Sequence, residues 1–151
     1  YSFMIQQKLL SHCRSYIVEI LNGFENRKAE ILLALESESK SSAGDKHETG
    51  RAMIQLEREK LGEQIKKFEL HQKHLIHLEN HINSEYVKLG SVVTTNQSNY
   101  YISFPVRECI IKSKIYYCIS AQSPIGKLLL GKKVGDQIIF NNTTSLILEV
   151  F

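Results

Sequence analysis

Five apolar residues, Ile54, Leu61, Phe68, Leu75 and Ile82, recur at intervals of seven, and a stripe of that period cannot be buried by a single helix. Any fold open to this chain must give the stripe a partner. The companion positions Gln64 and His71 are polar, so the seam is narrow. A second stripe at helical spacing is available between Ile5 and about Ser39: Leu9, Cys13, Ile17, Ile20, Phe24, Ile31 and Leu35, with Glu, Lys, Arg and Asn on the other side. The spacing predicts two long amphipathic helices, Ile5 to Ser39 and about Glu48 to His81. At ~1.5 Å per residue each would reach about 50 Å, and neither can bury its stripe alone. An antiparallel hairpin is the economical solution. Its turn belongs in Ser37 to Gly50, the polar, Gly-containing break between the two stripes.

Beyond Tyr86 the period changes to two and the residues become β-forming. Short strands are expected at Ser91 to Thr95, Tyr100 to Phe104, Ile115 to Ser120, Gln137 to Phe140 and Leu146 to Phe151, with Asn96 to Asn99 as a hairpin turn. Ser123-Pro124 reads as a helix start, a Ser cap with Pro in the first helical position, and Gly131 as its close. The expected fold is therefore α+β: a coiled-coil hairpin over 1–84 with an acidic tip near 37–50, then a small α+β domain over 85–151.

Charge follows the same division. Residues 1–84 hold twelve Lys and Arg against twelve Asp and Glu, while residues 85–151 hold seven against four, so the whole net charge of +3 falls in the second part. That excess is too small to announce a nucleic-acid binder. A 42% hydrophobic, 23% charged chain with 2 Pro excludes a disordered or collagen-like protein. No apolar run approaches the ~20 residues that span a bilayer, and no signal peptide is recognisable, so a soluble intracellular protein is expected. Cys13, Cys109 and Cys118 are scattered in apolar surroundings without a Cys-x-x-Cys pair, which reads as plain buried thiols and not as a disulfide framework or zinc site. Tyr1 in first place reads as a fragment or a processed form, with Met4 a possible start.

Asp45 and Glu48 are the chemically interesting pair. Two carboxylates three residues apart share one helix face and can converge on a cation. The same Asp-x-x-Glu before an apolar run is also a capping box favoured by the helix dipole, and both readings stand. His71, His74, His77 and His81 are spaced three, three and four, so His77 and His81 could share a metal, although a solvated helix face explains them as well. Ser37, Ser39, Ser41 and Ser42 suit a turn or a phosphosite. No Walker loop, dinucleotide fingerprint or Gly-x-Ser-x-Gly elbow occurs, so catalysis by this chain alone is not expected.

The stretch Ser123-Pro124-Ile125-Gly126-Lys127-Leu128-Leu129-Leu130-Gly131-Lys132-Lys133-Val134-Gly135-Asp136 resembles the C-terminal signature of the GreA/GreB transcription elongation factors. Gly44-Asp45-Lys46-His47-Glu48 is similar to the Gly-Asp-x-x-Glu of that family's hairpin tip. The resemblance implies an N-terminal coiled coil that enters the secondary channel of bacterial RNA polymerase, and an FKBP-like C-terminal domain that docks on the channel rim through Ser123, Pro124 and Ile125. It implies a cytoplasmic monomer, not an enzyme itself, near the nascent RNA. Asp45 and Glu48 would help hold an Mg²⁺ shared with the polymerase, which has no place in the isolated protein, so that backtracked RNA is cleaved. Where the family usually continues Asn-Ala-Glu-Tyr, this chain has Thr49-Gly50-Arg51-Ala52, so a third acid has become a base. A channel-occupying inhibitor is the alternative within that architecture. A peptidyl-prolyl isomerase or chaperone is the alternative outside it.

Overall fold

The computed structural model describes residues 1–39 and 44–151, and the side chains of all of these except residues 39 and 44–47. Two helices, α1 (Ser2–Ser39) and α2 (Gly44–Glu79), precede six strands and one short helix. Compactness divides the chain into two units: Tyr1–Tyr16 together with His74–Phe151, and Ile17–Lys73.

The Ile17–Lys73 unit is the antiparallel pairing that the two stripes demand. Phe24 meets Phe68 edge to face, with ring centroids 5.6 Å apart, while Ile31 and Leu35 pack on Leu61 and Ile65, flanked by Leu21 and Ile54. Low numbers on α1 face high numbers on α2, so the arms run in opposite senses. Arg27 ties the arms at the surface, reaching Glu57 across the pair and Glu30 on its own helix. The buried seam departs from the strict heptad at two points. Ile65 and Leu78 are buried, and the expected last member, Ile82, is 76% exposed because α2 ends at Glu79. The helices also run into the segment expected as the turn, α1 to Ser39 and α2 from Gly44, and the tip serines Ser41 and Ser42 lie outside the described residues.

In the other unit the strands are β1 (Val92–Thr95), β2 (Asn99–Ser103), β3 (Cys109–Ile111), β4 (Lys114–Ser120), β5 (Gln137–Phe140) and β6 (Thr143–Val150), and α3 spans Pro124–Leu129. They form one sheet in the order β3-β4-β2-β1-β6-β5. All neighbours are antiparallel except β2 and β4, which run parallel from Asn99↔Tyr116 to Ser103↔Ser120. β3 is a strand that the alternation did not show. Its hairpin turns on Lys112 and Ser113, both at positive φ, and Asn141 and Asn142 do the same between β5 and β6. Two-residue turns of this hand match the twist of the strands they join. At the β1–β2 turn Thr95 Oγ1 accepts from the backbone N–H of Gln97 and Ser98, and Asn99 enters β2.

Each face of the sheet has its own cover. Val93, Ile102, Ile138 and Ile147 face α3 and pack with its Ile125 and Leu129, and with Val87. On the opposite face, Tyr101, Ser103, Tyr116 and Cys118 are buried, and the start of α1 lies over them, with Cys13 Sγ 3.7 Å from Ser103 Oγ. At the end of α2 the chain turns through His81, whose Nδ1 lies 3.1 Å from the Leu89 carbonyl oxygen. The turn needs Gly90, which has φ +89° and where a Cβ would stand 2.7 Å from the His81 ring.

Candidate functional site

α2 begins at Gly44, so Asp45 is its second residue and not the residue before it. The capping box would need Asp45 outside the helix, and that reading is corrected. A carboxylate in the first turn still meets the positive end of the helix dipole. The Asp45 side chain lies outside the described residues. Glu48 is exposed one turn further on, and with Arg51, Ala52, Gln55, Leu56 and Glu59 it borders a shallow hollow of about 590 Å³ along one face of α2. Thr49 and Arg51 are exposed beside it.

Gly50 is half-buried, and a Cβ there would lie 3.5 Å from a carboxylate oxygen of Glu38. Glu38 therefore adds an acid from α1 to the same end of the hairpin. The sequence reading passed over it, because only the register across the two arms reveals it. Among the described residues no group of three or more His, Cys, Asp or Glu could hold a metal ion. The two histidines read as a possible metal pair, His77 and His81, have separate neighbours. His77 stacks obliquely on His74 at 5.5 Å, and His81 is turned toward Leu89.

The second candidate surface surrounds α3. Ser123 Oγ accepts from Gly126 N at 3.1 Å and donates to the Ser120 carbonyl at 2.7 Å, so its side chain is spent on the cap. Ile125 points inward and is 8% exposed. Pro124 and Lys127 stand outward, joined by the partly exposed Leu128 and Leu130. Gly131 and Gly135 have φ of +78° and +92°, and Asp136 Oδ2 accepts from Lys133 N at 2.9 Å. The conspicuous residues of this stretch thus build a cap, a helix stop and a turn. What they leave outward is an apolar and basic rim.

Residues 82–150 match the family model described as transcription elongation factor, GreA/GreB, C-term. The chain carries a GreA/GreB C-terminal domain. The matched segment takes in every strand of the sheet and α3, and with them the stretch whose cap and glycine turns were just described. No curated protein matches the chain significantly. The chain is similar to solved structures, two of which follow. The crystal structure of the GreA factor homolog 1 (Gfh1) protein of Thermus thermophilus is 20% identical, covering 91% of this chain and 94% of that one, with a TM-score of 0.38. A structure of the transcription factor Gfh1 is also 20% identical, covering 91% and 92%, with a TM-score of 0.34. No described helix is long and apolar enough to cross a membrane.

Proposed function

We propose that the chain is an elongation factor that binds bacterial RNA polymerase at its secondary channel, presents the Asp45–Glu48 end of the hairpin to the polymerase active site, and promotes cleavage of backtracked RNA. The observation that carries this reading is the GreA/GreB domain over residues 82–150 on a chain whose other part is a helical hairpin. At the tip Asp45 and Glu48 fall within one turn of α2. One or two carboxylates, with phosphate oxygens and waters, suit Mg²⁺, and the polymerase would supply the remaining ligands. The metal's contribution would be to activate a water. The chain's own part is to place negative charge, and no catalytic group of its own enters. Docking would fall to Pro124, Lys127 and Leu128, since Ser123 and Ile125 are turned to the cap and the core.

Arg51 favours a second reading. A cation three residues after Glu48, where the resemblance expects an acid, suits a factor that occupies the channel without promoting cleavage.

One set of assays separates the two. With core polymerase in a backtracked complex, Asp45→Asn should leave the melting temperature and polymerase binding unchanged and remove cleavage, with Glu48→Gln weaker in the same direction. Retained cleavage in Asp45→Asn would refute the role given to that residue. A wild-type protein that binds but accelerates nothing at any Mg²⁺ concentration would establish the inhibitor, and Arg51→Glu would then test whether the lost acid is the reason. Lys127→Glu should weaken binding by an order of magnitude without unfolding the domain.

A further inference from the structure

The three cysteines, scattered in sequence, gather on one face of the sheet. Tyr101 is paired with Cys118 in the parallel β2–β4 ladder, and Ser103 follows two residues on. Cys109 is paired with Tyr116, which lies two residues before Cys118 on β4. Helix α1 lays Cys13 onto this face, where its thiol lies 3.7 Å from the hydroxyl of Ser103, on the strand that neighbours Cys118. Cys13 is fully buried and Cys118 nearly so, whereas Cys109 is only half-buried. Nothing in the proposed action on polymerase uses this pair.

The two sulfurs are unequal. The nearby Cys118 thiol, helped by Ser103, lowers the Cys13 thiol against the opposing effect of burial. The nearness of Cys13, with burial, pushes Cys118 up. Cys13 is therefore the better nucleophile and Cys118 the resolving thiol. Cys109 is raised by burial and by the nearby Cys13, against the opposing charge of Lys8.

We propose that Cys13 and Cys118 form an oxidative modification site, a dithiol that hydrogen peroxide closes into an intramolecular disulfide between α1 and β4. The Cys13 thiolate attacks one peroxide oxygen, the O–O bond breaks, and the departing hydroxide takes up a proton to leave as water. Cys13 is then a sulfenic acid. The Cys118 sulfur attacks the Cys13 sulfur, the S–O bond breaks, and a second water leaves with the Cys118 proton. Two thiols lose two electrons, and one peroxide is reduced to two waters. Because both sulfurs are shielded, the reaction waits on local opening of the first turns of α1. Its rate levels off as peroxide is raised. The bond fastens the first helix to the sheet and closes a long loop of chain, which stabilises the folded state by constraining the unfolded one.

The test uses the full chain and a Cys109→Ser variant, each treated with hydrogen peroxide in native buffer and mapped by mass spectrometry without reduction. Expected are a peptide pair linked through Cys13 and Cys118 in both proteins, a loss of two hydrogens, and a melting temperature higher by about 5 °C or more that dithiothreitol reverses. Adding Cys118→Ser should abolish the link and the rise together. Linkage through Cys109 in the wild-type chain would overturn the pairing. Cys13 driven to sulfinic acid without a link, or thiols unchanged even when low denaturant opens the helix, would overturn the site. A linked protein that melts lower would show that the geometry opposes the bond.

Discussion

The two compact units are held in different ways, and their glycines show it. In the Ile17–Lys73 pairing, a Cβ added at Gly23 or Gly62 would meet nothing within 4 Å. In the sheet unit, a Cβ at Gly126 would stand 2.1 Å from the Ser120 carbonyl oxygen, and one at Gly90 would strike His81. The helical pairing rests on side chains meeting across a gap. The sheet unit brings backbone against backbone. The first architecture tolerates change anywhere off its seam, and the second has positions where one carbon atom cannot be added.

The largest expected effect is therefore Gly126→Ala. Neither the cap nor the end of β4 can move without loosening Ser123 and Ser120, so loss of the cooperative melting transition is expected in thermal denaturation. A stable Gly126→Ala protein would break the contrast. Truncating one buried leucine in each unit sharpens it: Leu129→Ala should cost about 3 to 4 kcal/mol, because that side chain is wholly buried under the sheet. Leu61→Ala should cost about 2 kcal/mol, because its cluster has only four buried members and can collapse toward the gap. Urea titrations of both variants check the order. Gly62→Ala should run the other way and stabilise by up to about 1 kcal/mol, the helix-propensity difference in open space.

Acid should weaken the sheet unit through His81. Burial, aided by nearby Lys88, holds its imidazole below the ordinary value of 6.5 against the favourable carbonyl of Leu89. The unfolded chain then binds the proton first. The contribution of His81 to stability is intact well above pH 6.5, falls as the pH drops from there to its folded-state value, and is constant below that. Melting curves at pH 7.5 and 5.0 should show a smaller drop for His81→Gln than for the wild-type chain. The smallest effect belongs to the other unit. Arg27→Ala removes both surface carboxylate contacts and should leave the melting temperature nearly unmoved, since such pairs sit in water and salt.

Period carried most of the fold. The heptad and its partner stripe required the hairpin, and the Ser-Pro start located α3 with its cap. Ile82 misled because the seven-residue spacing continues past the point where α2 stops. β3 was hidden because it is three residues long and its turn is built from Lys112 and Ser113 instead of the Asn or Gly that normally announce positive φ. The comparable turn at Asn141-Asn142 carries the residues that do announce it. At the candidate site, Asp45 and Glu48 stood out as a spaced pair, but spacing could not separate a cap from a metal-directed role. Glu38 depends on how far α1 runs and which residue of α2 it then faces. Ile125 lies in a helix of six residues, too short for a period to say which way it points.

The position of β6 bears on how the sheet is assembled during synthesis. β1 gains one neighbour almost at once, from the hairpin with β2, but its other neighbour is β6, made only after residues 96–142. Until then β1 offers a bare row of N–H and C=O groups, and Val93 and Ile102 lack Ile147 beside them. A nascent chain halted between α3 and β6 would hold four paired strands and an open, apolar edge, the kind of surface that chaperones bind and that neighbouring chains can zip onto. The order in which residues leave the ribosome thus sets a window of vulnerability in the sheet that the hairpin arms, already complete, do not share.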